Sequence, residues 1–182
     1  MNRRRALLCL GLAVSWPAWT RTPGEVPIGG VLPEATLQGL NGPPRRLSEY
    51  RGRPLLINVW ASWCGPCVEE MASLERLAWT EERIAFSVIG ISTDDYPEQA
   101  LAFLNRSNAT IRHFIDHGQQ LENMLGAARI PLTVLVDADG RVLDKIYGAR
   151  EWDSPASLQL ISRTFGARKA AAASALARAV PC

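Results

Sequence analysis

Histidine is scarce in this chain, with two in 182 residues, and cysteine is little commoner, with four. Of Cys9, Cys64, Cys67 and Cys182, only the middle pair has a spacing with a mechanism. No second CxxC and no histidine pair accompanies it. His113 and His117 have no carboxylate or cysteine at ligand spacing, so both read as surface residues. These absences argue against zinc and leave no metal site to assign. Excess positive charge is also missing: the formal net is +2, and it becomes −1 once Arg3, Arg4 and Arg5 are set aside. Basic residues are not interleaved with aromatics, so nucleic acid is not an expected partner. There are no internal repeats. At this length there is room for one domain with a sizeable core and some extra at each end.

What is present begins with the leader. Asn2 to Arg5 form a positive segment, and the fourteen residues from Ala6 to Trp19 are apolar apart from Ser15 and Pro17. That length suits the core of an export signal and falls short of the ~20 residues that span a bilayer. Ala13 and Ser15 allow cleavage before Trp16; the alternatives are a short uncleaved anchor or a buried helix. The paired arginines are also compatible with a twin-arginine signal. Leu7 and Leu8 precede Cys9 where a lipid-bearing cysteine needs small residues. We therefore read residues 1–20 as an export signal or anchor, 21–29 as a linker, 30–165 as the domain and 166–182 as an alanine-rich tail.

The chain is organised around Trp63-Cys64-Gly65-Pro66-Cys67. An apolar run from Pro54 to Ala61 reads as a buried strand before it, and Val68 to Leu77 reads as a helix after it. Two cysteines three apart at such a junction share one face of the first turn, close enough to form a disulfide. Cys64 sits where unpaired N–H groups and the helix dipole stabilise a thiolate, so it is expected to be exposed and acidic. Cys67, a turn further in, is expected to be buried and protonated until needed. Pro66 suits an early helical position, where its missing N–H costs nothing. The implied chemistry is attack by Cys64 on a partner disulfide and resolution of the mixed disulfide by Cys67.

Elsewhere, two short strands flank Asn41-Gly42-Pro43-Pro44, and Ser48 can cap one helical turn. A strand runs from Ile84 to Ser92, and a helix opens at Asp94 to Pro97. Ile111 to Ile115 is extended, and a helical turn from Gln119 ends at Gly126. Asp137-Ala138-Asp139-Gly140 signals a hairpin. Asp153-Ser154-Pro155 begins a last amphipathic helix reaching about Phe165. A β-α-β half followed by a hairpin and a helix gives an α/β fold with a mixed sheet flanked by helices.

Two further residues have open readings. Pro131, just before the apolar strand Leu132 to Val136, marks a strand start or a turn, and either peptide isomer is open to it. Glu70 lies on the same side of the helix as Cys67 and can take its proton, although the residues alone favour an exposed carboxylate like Glu69 or Glu75.

The stretch Ile57-Asn58-Val59-Trp60-Ala61-Ser62-Trp63-Cys64-Gly65-Pro66-Cys67 resembles the active-site segment of the thioredoxin superfamily. More narrowly, residues 30 to 165 are similar to the exported TlpA/ResA-like thiol–disulfide oxidoreductases. The similarity includes an N-terminal β-hairpin, the lead-in from Leu47 to Gly52, and an inserted βα segment around Ser92 to Asp116. It implies a thioredoxin-like fold, a cis peptide at Ile130-Pro131, and a buried Glu70. Cys64, Cys67, Glu70 and Pro131 are then the catalytic positions, with Trp63, Gly65, Pro66 and Ile130 facing substrate. Asn58 stands where thioredoxin has a buried aspartate. The segment from Gly126 to Thr133 departs from the Gly-Val-x-Gly-x-Pro-Glu-Thr pattern of the cytochrome c maturation branch. Glu151-Trp152-Asp153-Ser154 is more similar to members linked to cytochrome oxidase copper-site assembly.

The resemblance implies a periplasmic or tethered extracytoplasmic monomer that uses no cofactor. It reduces disulfides in a client protein and is recharged by a membrane-embedded thiol donor. A peroxiredoxin-like peroxidase is the rival, but the Pro-x-x-x-Thr-x-x-Cys setting it needs is absent. A copper-binding assembly protein of the CxxxC type is the other, and the two-residue spacer disfavours it. Cys182 is expected to be catalytically idle.

Overall fold

The computed structural model describes residues 22–79 and 85–178, the last twelve by backbone only. The strands are β1 (Thr36–Gly39), β2 (Arg45–Arg46), β3 (Leu55–Trp60), β4 (Ser87–Ser92), β5 (Arg112–Ile115), β6 (Leu132–Val136) and β7 (Val142–Tyr147). The helices are α1 (Gly65–Ala78), α2 (Pro97–Arg106), α3 (Gln120–Leu125) and α4 (Pro155–Arg178). Together the strands make one mixed sheet in the order β2-β1-β5-β4-β3-β6-β7. β3 runs parallel to β4 and antiparallel to β6, and it is buried along its whole length. This is the thioredoxin-like arrangement, with β1 and β2 as the N-terminal hairpin and α2 and β5 as the insertion.

Alternation along β3 decides what the site is made of, because successive side chains of a strand face opposite ways. Leu55, Ile57 and Val59 join Ile89, Ile91, Leu125, Leu132 and Val134 on one side. Leu56 meets Leu74 and Leu77 of α1 together with Leu135, Trp152 and Ile161. Trp60 meets Cys67, Met71, Ala100 and Leu104. Each such side chain contributes about 1.5–3 kcal/mol on leaving water. Asn58 lies between Leu56 and Trp60 on the α1 side, a polar residue in the centre of an apolar face.

Three local readings change. The one-turn 3-10 segment Leu47–Tyr50 is capped by Glu49, whose carboxylate accepts the Arg46 N–H at 2.7 Å; Ser48 instead donates its N–H to Glu34. α4 continues past Phe165 to Arg178 because alanine is the best helix former. Residues 25–32 bond to the β6–β7 hairpin and α3: Val26 N–H donates to Met124 O, and Gly29 and Leu32 N–H donate to Val142 O and Gly140 O. Ile84, the expected start of β4, lies outside the described residues.

Candidate active site

β3 delivers Ala61-Ser62-Trp63-Cys64 to the start of α1, where Cys64 is the N-cap residue. Its Sγ accepts the Cys67 N–H at 3.3 Å, and its carbonyl accepts the Val68 N–H at 3.0 Å. The two cysteines are joined by a disulfide with their Cα atoms 5.2 Å apart. When that bond is reduced, the Cys64 sulfur stands at the positive end of α1, where a thiolate is stabilised. Pro66 occupies the first turn without loss, since an N–H there has no intrahelical acceptor.

A buried carboxylate holds the loop before Cys64. Asp94 accepts the Ser62 N–H at 2.9 Å, the Ser62 hydroxyl at 2.6 Å and the Ser92 hydroxyl at 2.7 Å. Trp63 is 68% exposed, and Gly65 and Pro66 beside it are exposed. Cys67 is fully buried, as expected. Cys64 corrects its expectation: it is 6% exposed, because in the disulfide its side chain packs with Trp60, Ala61 and Met71. The order of access is nevertheless kept.

The Ile130-Pro131 peptide is cis. Ile130 packs against the cluster that contains both cysteines, and the Pro131 carbonyl accepts the Gly148 N–H at 2.9 Å. The structure thus brings Cys64, Cys67 and Ile130 together, with Trp63, Gly65 and Pro66 as the outer rim.

Glu70, one turn beyond Cys67, is 3% exposed. Oε1 accepts from Asn58 Nδ2 at 2.8 Å; Oε2 accepts from Trp152 Nε1 and from the Arg150 N–H, both at 3.0 Å. Burial pushes its pKa above the ordinary carboxylate range, against the opposing effect of those three bonds. Asn58 Nδ2 also donates to Thr133 Oγ1 at 3.1 Å, because β3–β6 register sets the two residues opposite each other. Asn58 Oδ1 is buried and has no partner.

His113 is a second correction. It is 1% exposed on β5, not a surface residue, while His117 is exposed. Its ring fits because the facing residue on β4 is Gly90, where a Cβ would overlap it, and it packs edge-on to Trp60 with centroids 5.3 Å apart. Burial lowers its pKa, opposed by Glu75 at 4.0 Å. Sequence reasoning also missed Asp94 and Trp152 as parts of the site. In sequence Asp94 reads only as a helix opener, and Trp152 only as part of a family-like segment. Among the described residues no group of three or more His, Cys, Asp or Glu could hold a metal ion. Cys9 and Cys182 lie outside the described residues.

A disulfide capping a helix at the end of a central strand, beside a cis-proline, is the geometry of dithiol redox chemistry. The family model for Redoxin matches residues 27–160. The chain belongs to the Redoxin family. Among its relatives is the thiol:disulfide interchange protein DsbE of Pseudomonas aeruginosa, 35% identical over 132 residues that cover 69% of this chain and 71% of that protein. Another is the thiol-disulfide oxidoreductase ResA of Geobacillus kaustophilus, 29% identical over 149 residues, 80% of this chain and 86% of that one. In structure, a DsbE from Chlorobium tepidum superposes with a TM-score of 0.70 at 27% identity, covering 76% of this chain and 98% of that one. This Redoxin-family chain is accordingly a TlpA/ResA-like protein thiol–disulfide oxidoreductase of the thioredoxin superfamily.

Proposed function

We propose that this oxidoreductase acts outside the cytoplasm as a monomeric reductant of disulfides in client proteins. Cys64 thiolate attacks one sulfur of the client disulfide; that S–S bond breaks, and the other client sulfur leaves as a thiolate that takes a proton from solvent. Cys67 then gives its S–H proton to the Glu70 carboxylate and attacks Cys64 Sγ. The mixed disulfide breaks, the second client sulfur leaves and is protonated, and two electrons have passed to the client. Glu70 returns its proton to solvent. A membrane-embedded thiol donor restores the dithiol by the reverse exchange.

The observation that carries this reading is the paired environment of the two sulfurs: Cys64 capping α1 behind the exposed rim, and Cys67 fully buried one turn from a buried carboxyl. Trp63, Gly65, Pro66 and Ile130 form the client-facing surface, with Pro131 shaping the loop beside the cysteines. The positive leader and apolar stretch of residues 2–19 support export, cleaved or tethered. The client class is that of proteins whose cysteines must be reduced before cytochrome c or cytochrome oxidase copper-site assembly. Among the described residues no helix is long and apolar enough to cross a membrane. A Cys67→Ser variant tests the roles directly: it should accumulate mixed disulfides through Cys64 that identify the client. Trapping through Cys67 in a Cys64→Ser variant, and none in Cys67→Ser, would reverse the assignment.

A further inference from the structure

Trp152 is the least expected member of the site. It is 0% exposed and packs with Leu56, Leu74, Leu77, Leu135 and Ile161, which by itself describes a core tryptophan. A buried indole N–H is stabilised when it finds an acceptor. This one finds Glu70 Oε2 at 3.0 Å, across 82 residues of sequence. The turn that carries Trp152 is aimed the same way. The Arg150 N–H donates to the same oxygen, and the Trp152 N–H donates to Ser73 Oγ at 2.9 Å. Ser73 in turn donates to the Glu70 carbonyl at 2.7 Å, so the turn is pinned to α1 one step past Glu70.

The two carboxylate oxygens are therefore unequal. Among the described residues Oε2 has two donors, one for each lone pair, whereas Oε1 has one, Asn58 Nδ2. We propose that Trp152 is a positioning residue for Glu70: its indole N–H saturates Oε2 and fixes the carboxyl so that Oε1 takes the Cys67 proton. The inference rests on the reading of Glu70 as the proton acceptor. In the step, the Cys67 S–H bond breaks and an O–H bond forms at Oε1, with no change of oxidation state. The unpartnered Asn58 Oδ1 supplies an acceptor for that new O–H when the amide turns over. The charged groups around Glu70 are Glu69 and Arg76 on α1 and Arg150 and Glu151 on the adjoining turn, all lining one surface pocket with it. Asp153 pairs with Arg76. From β3 and β6 come the neutral Asn58 and Thr133.

The test follows the two thiolates released when the reduced full-length chain, carrying Cys9→Ser and Cys182→Ser, reacts with 5,5′-dithiobis(2-nitrobenzoate). The first release reports attack by Cys64 and the second reports resolution by Cys67. Trp152→Phe should move the pH midpoint of the second phase upward by about one unit, because a carboxylate with one donor fewer is a stronger base. The first-phase midpoint should stay in place. Replacing residue 152 with 3-benzothienylalanine keeps the ring shape without the N–H; it should give the same shift, and it decides the matter if Trp152→Phe does not fold. Glu70→Gln should remove the midpoint, and adding Trp152→Phe to it should change nothing further. If both variants at position 152 superimpose on the parent while Glu70→Gln departs from it, Trp152 is packing alone. If Glu70→Gln itself keeps the parent profile, the reading of Glu70 fails and this inference fails with it.

Discussion

One turn of helix separates Cys64 from Cys67 and gives them unequal surroundings: Cys64 caps the helix start beside exposed Trp63, and Cys67 is sealed deeper in the same cluster. In the reduced protein Cys64 should therefore react with iodoacetamide well below pH 8, and Cys67 slowly or not at all. Equal rates for the two would refute their assigned roles. Glu70 carries a cost that can be read as stability. Its folded pKa is raised by burial, so the fold prefers the protonated form; this contribution is complete below the unfolded pKa and is lost as pH rises through the folded value. Glu70→Gln should consequently melt higher than the parent at pH 8, with the difference closing at acid pH, while the resolving step slows about 10²-fold or more. Thermal melts across pH and single-turnover kinetics check both. The cysteines were legible from spacing, since a CxxC between a buried strand and a helix has one geometry. The burial of Glu70 followed only from the family resemblance and not from local pattern, because its partners lie 12, 80 and 82 residues away.

Secondary-structure elements carry the same lesson in a different form. The hairpins and β3 follow from local pattern: turn residues between apolar runs, and a run apolar enough to be covered on both faces. What local pattern does not contain is which residue a strand neighbour will face. His113 reads as a surface residue in sequence because it has no carboxylate or cysteine at ligand spacing. β4–β5 pairing instead sets it against Gly90, and the missing Cβ makes room for the imidazole. Gly90→Ala should accordingly destabilise the fold by about 1–3 kcal/mol through overpacking against His113 and Trp60. Denaturant melts would show this as a lower midpoint with an unchanged slope; a neutral result would mean the ring moves freely. Asp94 belongs to the same class, since its hold on Ser62 joins the end of β4 to a loop 32 residues earlier.

At the scale of the whole molecule, strand order places β3 inside the sheet between β4 and β6, so that its end, and the disulfide with it, stands where α1, α2 and the β6 lead-in meet. The N-terminal approach is fixed as well: Lys145 on β7 and Glu25 form an ion pair at 2.6 Å, tying the chain just after residue 22 to the hairpin. On the proposed reading, this scaffold holds a dithiol poised to give electrons. Its equilibrium reduction potential, measured on the full-length protein against a glutathione or dithiothreitol series, decides between giving and taking electrons. A reductant should give a value near the ~−270 mV of reducing dithiols; a value near −120 mV, where strongly oxidising dithiols lie, would mean that the pair takes electrons instead.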